Sequence, residues 1–424
     1  MPKIARLSKA DPVLICSGND ESLSDQIGLS SPETASLSGT DSILLESTDE
    51  ESLPLQIGPT STETGPLAHG GTILLGSSNE GSFSNQISQT LPETATLLEP
   101  DPVPLPYRIC PVDGKGLGML ATKKFSRGEQ VFSEKPLIRT TRAANNRMAF
   151  EQYDMLGKLD QEKIQALANI QPEKAQPLGA IWTNAIALRG TEEEIGLFAM
   201  ASRMNHSCRP NTNNVWDPKA EQMTVVAVRD IEAGEEITSN YIEGFARRDD
   251  RRRHLWHLLR FQCCCELCML PLKLRNRSDH YIDEINGIRN KMKVAAKWQN
   301  NSGVLADLRK LLDLYQKEGI TDWHVAAAYD KAHGIARDNG DGYRVHLFAQ
   351  RAAEEFAWAE GYDSPNAERM RRNAENSAIL IKEGEASGIP YEKPPADEGV
   401  ELEKWLFRDP KRVLGDCWYS SWES

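Results

Sequence analysis

Arg203-Met204-Asn205-His206-Ser207-Cys208-Arg209-Pro210 sets an amide, an imidazole, a hydroxyl and a thiol together at the end of an apolar run. Leu197 to Met204 has a helical look. Pro210 stops any helix begun there, because proline lacks the amide hydrogen and disfavours helical geometry in the residue before it. This much polar chemistry after an apolar run points to a functional segment. Partners lie elsewhere: Gly114-Lys115-Gly116-Leu117-Gly118 upstream, then Gly234-Glu235-Glu236-Ile237-Thr238-Ser239-Asn240-Tyr241 and Phe261-Gln262-Cys263-Cys264-Cys265-Glu266-Leu267-Cys268 downstream.

In this order the four pieces resemble the SET-domain lysine methyltransferases over roughly Tyr107 to Cys268, and most of all the SET-and-MYND type. Each motif alone is weak; the combination is specific. The resemblance implies an α+β chain: a β-rich SET fold of short sheets with a threaded C-terminal segment and a zinc-binding post-SET motif, followed by an α-helical, tetratricopeptide-like region. One departure is plain. The stretch from Thr140 to Pro177, near where those relatives carry a zinc-binding MYND module, has no cysteine or histidine. No MYND finger is expected.

Charge is unevenly distributed. The net charge is −13, yet residues 1 to 100 hold only Lys3, Arg6 and Lys9 against many acids, so most of the excess belongs to this tail. The remainder is near balance and offers no field to attract nucleic acid. Cysteine clusters only at Cys263 to Cys268, Met1 is not followed by a signal-like apolar stretch, and no window is long and apolar enough to span a bilayer. These features lead us to expect a reduced, intracellular protein of the nucleus or cytoplasm, with neither a membrane nor a nucleic acid as direct partner.

The tail repeats at a spacing of about thirty residues. Ser22, Gln26, Ile27, Glu33 and Thr34 return as Ser52, Gln56, Ile57, Glu63 and Thr64, and again as Ser82, Gln86, Ile87, Glu93 and Thr94. With isolated Ile and Leu among Ser, Thr, Gly and Glu, the units lack the continuous apolar stripe of a solenoid. Residues 1–106 therefore read as a disordered acidic tail.

From Tyr107 the chain reads as a folded unit to about residue 245. Gly114 to Ala121 is a glycine-permitted turn feeding a strand, and Phe125 to Phe132 a turn and a second strand. An insert at about 140–180 has helical spacing through Phe150, Tyr153, Leu156, Leu159, Ile164 and Leu167. Val215-Trp216, Met223 to Val228 and Ile237 to Tyr241 are strands of a small antiparallel arrangement, separated by Asp-Pro and Ala-Gly turns. Phe245 to Phe261 is an amphipathic helix with Leu255, Leu258 and Leu259 on one side, and Arg247, Arg248, Arg251, Arg252 and Arg253 on a solvated face partly neutralised by Asp249 and Asp250. This helix and the cysteines make a unit at 246–275. A helical domain at 276–390 shows small residues at packing spacing, as in Ala326, Ala332 and Ala336 and again in Ala349, Ala352 and Ala353. Residues 391–424, with Trp405, Trp418 and Trp422, show no assignable pattern.

Cys263, Cys265 and Cys268 are able to face one metal, and a closed structural zinc site needs four ligands. Cys208 completes the set, with Cys264 as the alternative ligand; the family spacing selects Cys263 and Cys265 and leaves Cys264 as a spare thiol. By the same resemblance Lys115, Gly116, Gly118, Asn184, Asn205, His206 and Phe261 face S-adenosylmethionine, Phe261 at the adenine. Tyr241 is the catalytic group, its hydroxyl orienting a substrate lysine amine. The expected activity is methyl transfer to a lysine of a histone or non-histone protein. A zinc-stabilised SET scaffold without activity, working through its helical region as a protein interaction module, is the alternative. Retention of Tyr241, Asn205, His206 and the glycine turn together argues for the enzyme.

Overall fold

The computed structural model describes residues 105–171, 173–191, 193–242, 244–298, 301–396 and 399–409. The acidic repeats and Trp418 and Trp422 lie outside them.

Strands β1 (Tyr107–Val112) and β2 (Gly116–Ala121) form a hairpin in which Val112 faces Gly116. Its turn needs left-handed backbone at Gly114 and Gly116, with φ of 65° and 76°, which glycine adopts without a Cβ penalty. There follow β3 (Gln130–Glu134), β4 (Ile138–Thr141), helices α1 (Asn146–Asp154), α2 (Lys158–Gln165) and α3 (Leu178–Asn184), then β5 (Ile186–Ala187), β6 (Glu194–Leu197), β7 (Asn205–His206), β8 (Thr212–Asp217), β9 (Gln222–Ala227) and β10 (Glu236–Ser239). They make three small sheets, ordered β1-β2-β10-β7, β3-β9-β8 and β4-β6-β5. The first two share a core of Met119, Phe125, Phe198, Val225, Ile231 and Ile237. Pairing is antiparallel except where β10 meets β7, which is parallel; of the three downstream strands β8 and β9 pair antiparallel, while β10 belongs to another sheet, so they do not form one sheet.

The insert is not one helix. A break between α1 and α2 resets the register, so Tyr153, Ile164 and Leu167 are buried while Phe150 and Leu159 face solvent. The helical-looking run before Asn205 is also corrected: it is the end of β6 and one 3₁₀ turn, Ala201–Arg203. The Glu134 carboxylate accepts from the amides of Met200 and Ala201, so an outside partner serves donors that a longer helix would have paired.

Beyond the sheets come α4 (Arg248–Leu259), α5 (Leu272–Lys297), α6 (Val304–Glu318), α7 (Trp323–Asp338), α8 (Gly342–Glu360), α9 (Pro365–Ala386) and α10 (Val400–Leu406). Each of α5 to α8 packs on its successor. Ala326 of α7 shares one buried cluster with Ala349, Ala352, Ala353 and Phe356 of α8 and Ala367, Met370 and Ala374 of α9; side chains this small let the helix axes approach closely. Asp322, Asp341 and Ser364 cap α7, α8 and α9 by accepting amide hydrogens. Helix α8 also closes onto β8 and β9: Asn213 donates to the Ala359 carbonyl at 2.9 Å, and Arg127 pairs with Glu355 at 2.8 Å while stacking over Trp358. Among the described residues no helix is long and apolar enough to cross a membrane.

Candidate active site and cysteine centre

Strand β10 lies between β2 and β7, with Glu236 and Ile237 opposite Leu120 and Met119 on one side and Thr238 and Ser239 opposite Asn205 and His206 on the other. Three of the four motifs thereby share one small sheet. Asn211, just after the central motif, locks the arrangement. Its carbonyl oxygen accepts from the Thr238 amide at 2.8 Å, and its amide donates to the Glu236 carbonyl at 2.8 Å.

Asn205 turns its amide towards the glycine turn, donating to Glu236 Oε1 at 2.8 Å and to the Leu117 carbonyl at 3.3 Å. Lys115 Nζ donates to the other oxygen of Glu236 at 2.5 Å. Gly118 lies against them: a Cβ there would stand 2.6 Å from Val112 Cγ2, 2.7 Å from Asn205 Nδ2 and 2.9 Å from Glu236 Oε1. Gly118 is thus required by close approach, whereas Gly116 faces open space and is required by its φ. Glu236 was not singled out from the sequence, although strand alternation points to it. Ile237 faces the core, so its neighbour must face away.

His206 is buried and neutral. Desolvation, with smaller contributions from Arg251 and Lys115, pushes its pKa down to about 4. Its Nδ1 accepts from the Tyr241 amide at 3.1 Å, which leaves the proton on Nε2, 3.2 Å from the Cys208 sulfur. The imidazole therefore bridges the cysteine centre and the Tyr241 backbone. Tyr241 and Phe261 flank it, with ring centroids at 5.3 and 6.1 Å. Tyr241 as a residue is 45% exposed, yet its hydroxyl turns inward and donates to the Met204 carbonyl at 2.5 Å. Desolvation and the Glu236 carboxylate raise its pKa above the ordinary value, so the phenol stays protonated.

Asn184 stands apart from these contacts. It closes α3, and its amide donates to the carbonyls of Ala168 and Ala180 at 2.8 and 2.7 Å. Its tie to the central segment is through its own carbonyl, which accepts from Ser202 at 3.4 Å.

The cysteine sulfurs of Cys208, Cys263, Cys265 and Cys268 all lie within 4.8 Å of one another, Cys208 being 3.8 Å from Cys263 and 3.6 Å from Cys268. A tetrahedron with zinc–sulfur bonds of about 2.3 Å has edges of about 3.8 Å, so the set fits a closed zinc site. Cys264 stands outside this set.

Helix α4 does not present all its arginines to water. Arg248, Arg251 and Leu255 form its buried stripe, while Leu258 is 57% exposed. Arg248 Nε donates to the Cys268 carbonyl at 2.7 Å; Arg251 donates to the Ala246 carbonyl at 2.6 Å and points Nη2 at the Cys268 sulfur, 3.9 Å away. Burial opposes the Arg251 charge, but the sulfurs of Cys208 and Cys268 more than offset it. The cysteine centre is why two cations face inward, and the spacing i, i+3, i+7 was the available signal. On its far side Arg209 pairs with the buried Glu318 of α6 at 3.0 Å, and Glu318 also accepts from Ser278 of α5. The helical region thus contacts the residue beside Cys208.

Residues 116–242 match the SET domain family. The chain is 32% identical over 310 residues to histone-lysine N-methyltransferase set5 of Schizosaccharomyces pombe, covering 71% of this chain and 93% of that protein. It is 30% identical over 112 residues to human histone-lysine N-methyltransferase SMYD3, covering 25% of this chain and 26% of that one. SET domain and MYND-type zinc finger protein 6 of Schizosaccharomyces pombe is 26% identical over 215 residues, covering 50% of this chain and 40% of that protein.

Proposed function

This chain belongs to the SET-domain protein-lysine N-methyltransferases, and from that premise we propose that it uses S-adenosylmethionine to methylate a lysine of a histone or non-histone protein, through Tyr241 and the surroundings of Asn205. The observation that carries the reading is the place of β10, which joins the strand after the Gly114–Gly118 turn to Asn205 in one sheet and leads directly into Tyr241. S-adenosylmethionine, when bound, supplies a methyl group activated by its sulfonium.

What the chain supplies follows from its own groups. Lysine carries a proton at neutral pH, with an ordinary pKa of about 10.4, and only the free amine is nucleophilic. Withdrawing it from water lowers that pKa, so a strong base is not required. Tyr241, held protonated, is not such a base. Its hydroxyl hydrogen is committed to the Met204 carbonyl, which leaves the oxygen lone pairs to accept hydrogen bonds and orient the incoming amine. Asn205, Lys115, Gly116 and Gly118 make the cofactor-facing surface, His206 contributes through its main chain because its ring nitrogens are engaged, and Phe261 offers a stacking face. Asn184 supports the surface through Ser202. Cys208, Cys263, Cys265 and Cys268 hold a structural zinc that joins the central motif to the segment after α4.

We read residues 107–245 as the SET unit, 246–275 as the post-SET unit and 276–390 as a helical domain, for which the successive packing of α5 to α9 supports the tetratricopeptide-like reading and a role in binding a protein partner. The relatives named for histone lysine suggest a nuclear or cytoplasmic acceptor.

Calorimetry with S-adenosylmethionine tests the pocket: saturable binding is expected, and its loss in Asn205→Ala. Turnover on lysine-containing proteins, followed by mass spectrometry, tests the chemistry. Tyr241→Phe should lower kcat at least about 100-fold, as misplacing reacting groups does, with cofactor affinity retained. Full turnover in that variant removes Tyr241 from the mechanism.

A further inference from the structure

Glu236 meets both faces of the cofactor surface. One carboxylate oxygen takes the Lys115 ammonium at 2.5 Å and the other takes the Asn205 amide at 2.8 Å. Lys115 is in the turn between β1 and β2, and Asn205 opens β7, two segments that are not neighbours in the sheet. The strand between β2 and β7 is β10, and Glu236 is its first residue. A Cβ on Gly118 would come within 2.9 Å of the same carboxylate, so the space is filled and little slack remains. The carboxylate is mostly enclosed, its side chain being 16% exposed.

We infer that Glu236 is a positioning residue for cofactor binding: a single carboxylate bridges Lys115 and Asn205 and holds the glycine turn and the central motif at one separation. The inference rests on the reading of those two segments as the S-adenosylmethionine site. It also revises the part played by Lys115. Its ammonium belongs to Glu236, and its amide donates to the Val112 carbonyl at 3.0 Å, so Lys115 shapes the turn rather than offering a cation to the cofactor.

Both bonds to the ionised carboxylate are charge-assisted, and the one to Lys115 is an ion pair as well. Glutamine at 236 keeps an acceptor for the Asn205 amide and loses the ion pair with Lys115; alanine loses both. The graded consequence separates positioning from mere support of the fold.

The test is calorimetric affinity for S-adenosylmethionine and for its product S-adenosylhomocysteine in wild type, Glu236→Gln, Glu236→Ala, Lys115→Met and the double variant Lys115→Met/Glu236→Gln. Melting temperature and zinc content are measured alongside. Expected are a Kd raised at least tenfold for both ligands in Glu236→Ala, smaller increases in Glu236→Gln and Lys115→Met, and a double variant no weaker than the weaker single one. Zinc content and melting temperature should stay near wild type. Wild-type affinity in Glu236→Ala overturns the inference, as does a loss of affinity that only tracks loss of melting temperature. Should Glu236→Ala not fold, the nearly isosteric Glu236→Gln and Lys115→Met decide alone: additive effects in the double variant remove the bridge. Wild type that binds neither ligand overturns this inference together with the cofactor reading, whereas wild type that binds while the variants bind equally well overturns Glu236 alone.

Discussion

Two regions of this protein enclose arginine side chains, and they use them differently. In the cysteine centre, Arg248 and Arg251 lie against sulfurs and carbonyls contributed by segments far apart in sequence; Cys208 and Cys263 are separated by 55 residues, and β7 pairs with β10, which comes after two intervening strands. In the helical region, α5 to α9 pack mostly on their neighbours in sequence, and a few long-range ties close the end. There Arg344, fully buried, pairs with Asp341, stacks over the Trp405 ring at 3.9 Å and donates to the Trp405 carbonyl at 2.6 Å, holding α10 in place. The first region depends on non-local closure throughout. The second needs it where its last helix returns and where α6 and α8 meet the sheet region.

That contrast is open to experiment, and the largest effect should come from the cysteines. Removing zinc by chelation, or Cys208→Ser, should empty the site and cost up to on the order of 10 kcal/mol locally. Hydrogen exchange should rise around residues 205–208 and 261–268 while α7 to α9 keep their protection. Unchanged zinc content in Cys208→Ser would assign the fourth ligand elsewhere.

Next, Arg344→Met leaves Asp341 buried without its cation and should destabilise by about 3 to 5 kcal/mol. Exchange at 400–407 should increase first. Protection of α10 equal to wild type would show that apolar packing of Trp405, Leu406 and Phe407 suffices without the arginine.

A third test uses acid. His333 of α7 is buried, its Nε2 has no partner, and desolvation pushes its pKa down to about 4. A depressed folded-state value means the stability is fully present above the ordinary value near 6.5 and is lost as pH falls towards 4. At about 1.4 kcal/mol per unit this is roughly 3 kcal/mol by pH 4. In urea titrations at pH 7 and 4.5, His333→Leu should lose less stability than wild type. Equal losses would place the acid sensitivity at groups other than His333.

The smallest effect tests the face of α4. Leu258→Ser should stay within about 0.5 kcal/mol of wild type, whereas Leu255→Ser should cost several. Comparable losses would mean that the stripe of Arg248, Arg251 and Leu255 is misdrawn.

Legibility in the sequence followed the same divide. The polar motifs were plain, as were the strands around them and the alanine spacing of α7 and α8, because residue type and local period carry that information. Leu258 misled because periodicity names an apolar face without saying what lies opposite; here sulfurs do, and they take arginines. Phe150 and Leu159 misled because a short break between α1 and α2 resets the period. Trp405 belonged to a segment with no pattern, since its place comes from Arg344, 61 residues away.

The sequence by itself determined which groups are available: four cysteines able to hold a metal, a tyrosine after a strand, an asparagine and histidine after an apolar run, and glycines where a chain must turn tightly. Only the tertiary structure decided which of them meet. Parallel pairing of β10 with β7, the Glu236 bridge from Lys115 to Asn205, the neutral His206 between sulfur and backbone, and the inward arginines all join residues distant in the chain. Whether such residues touch depends on burial and hydrogen-bond satisfaction across the whole fold, which no local period encodes.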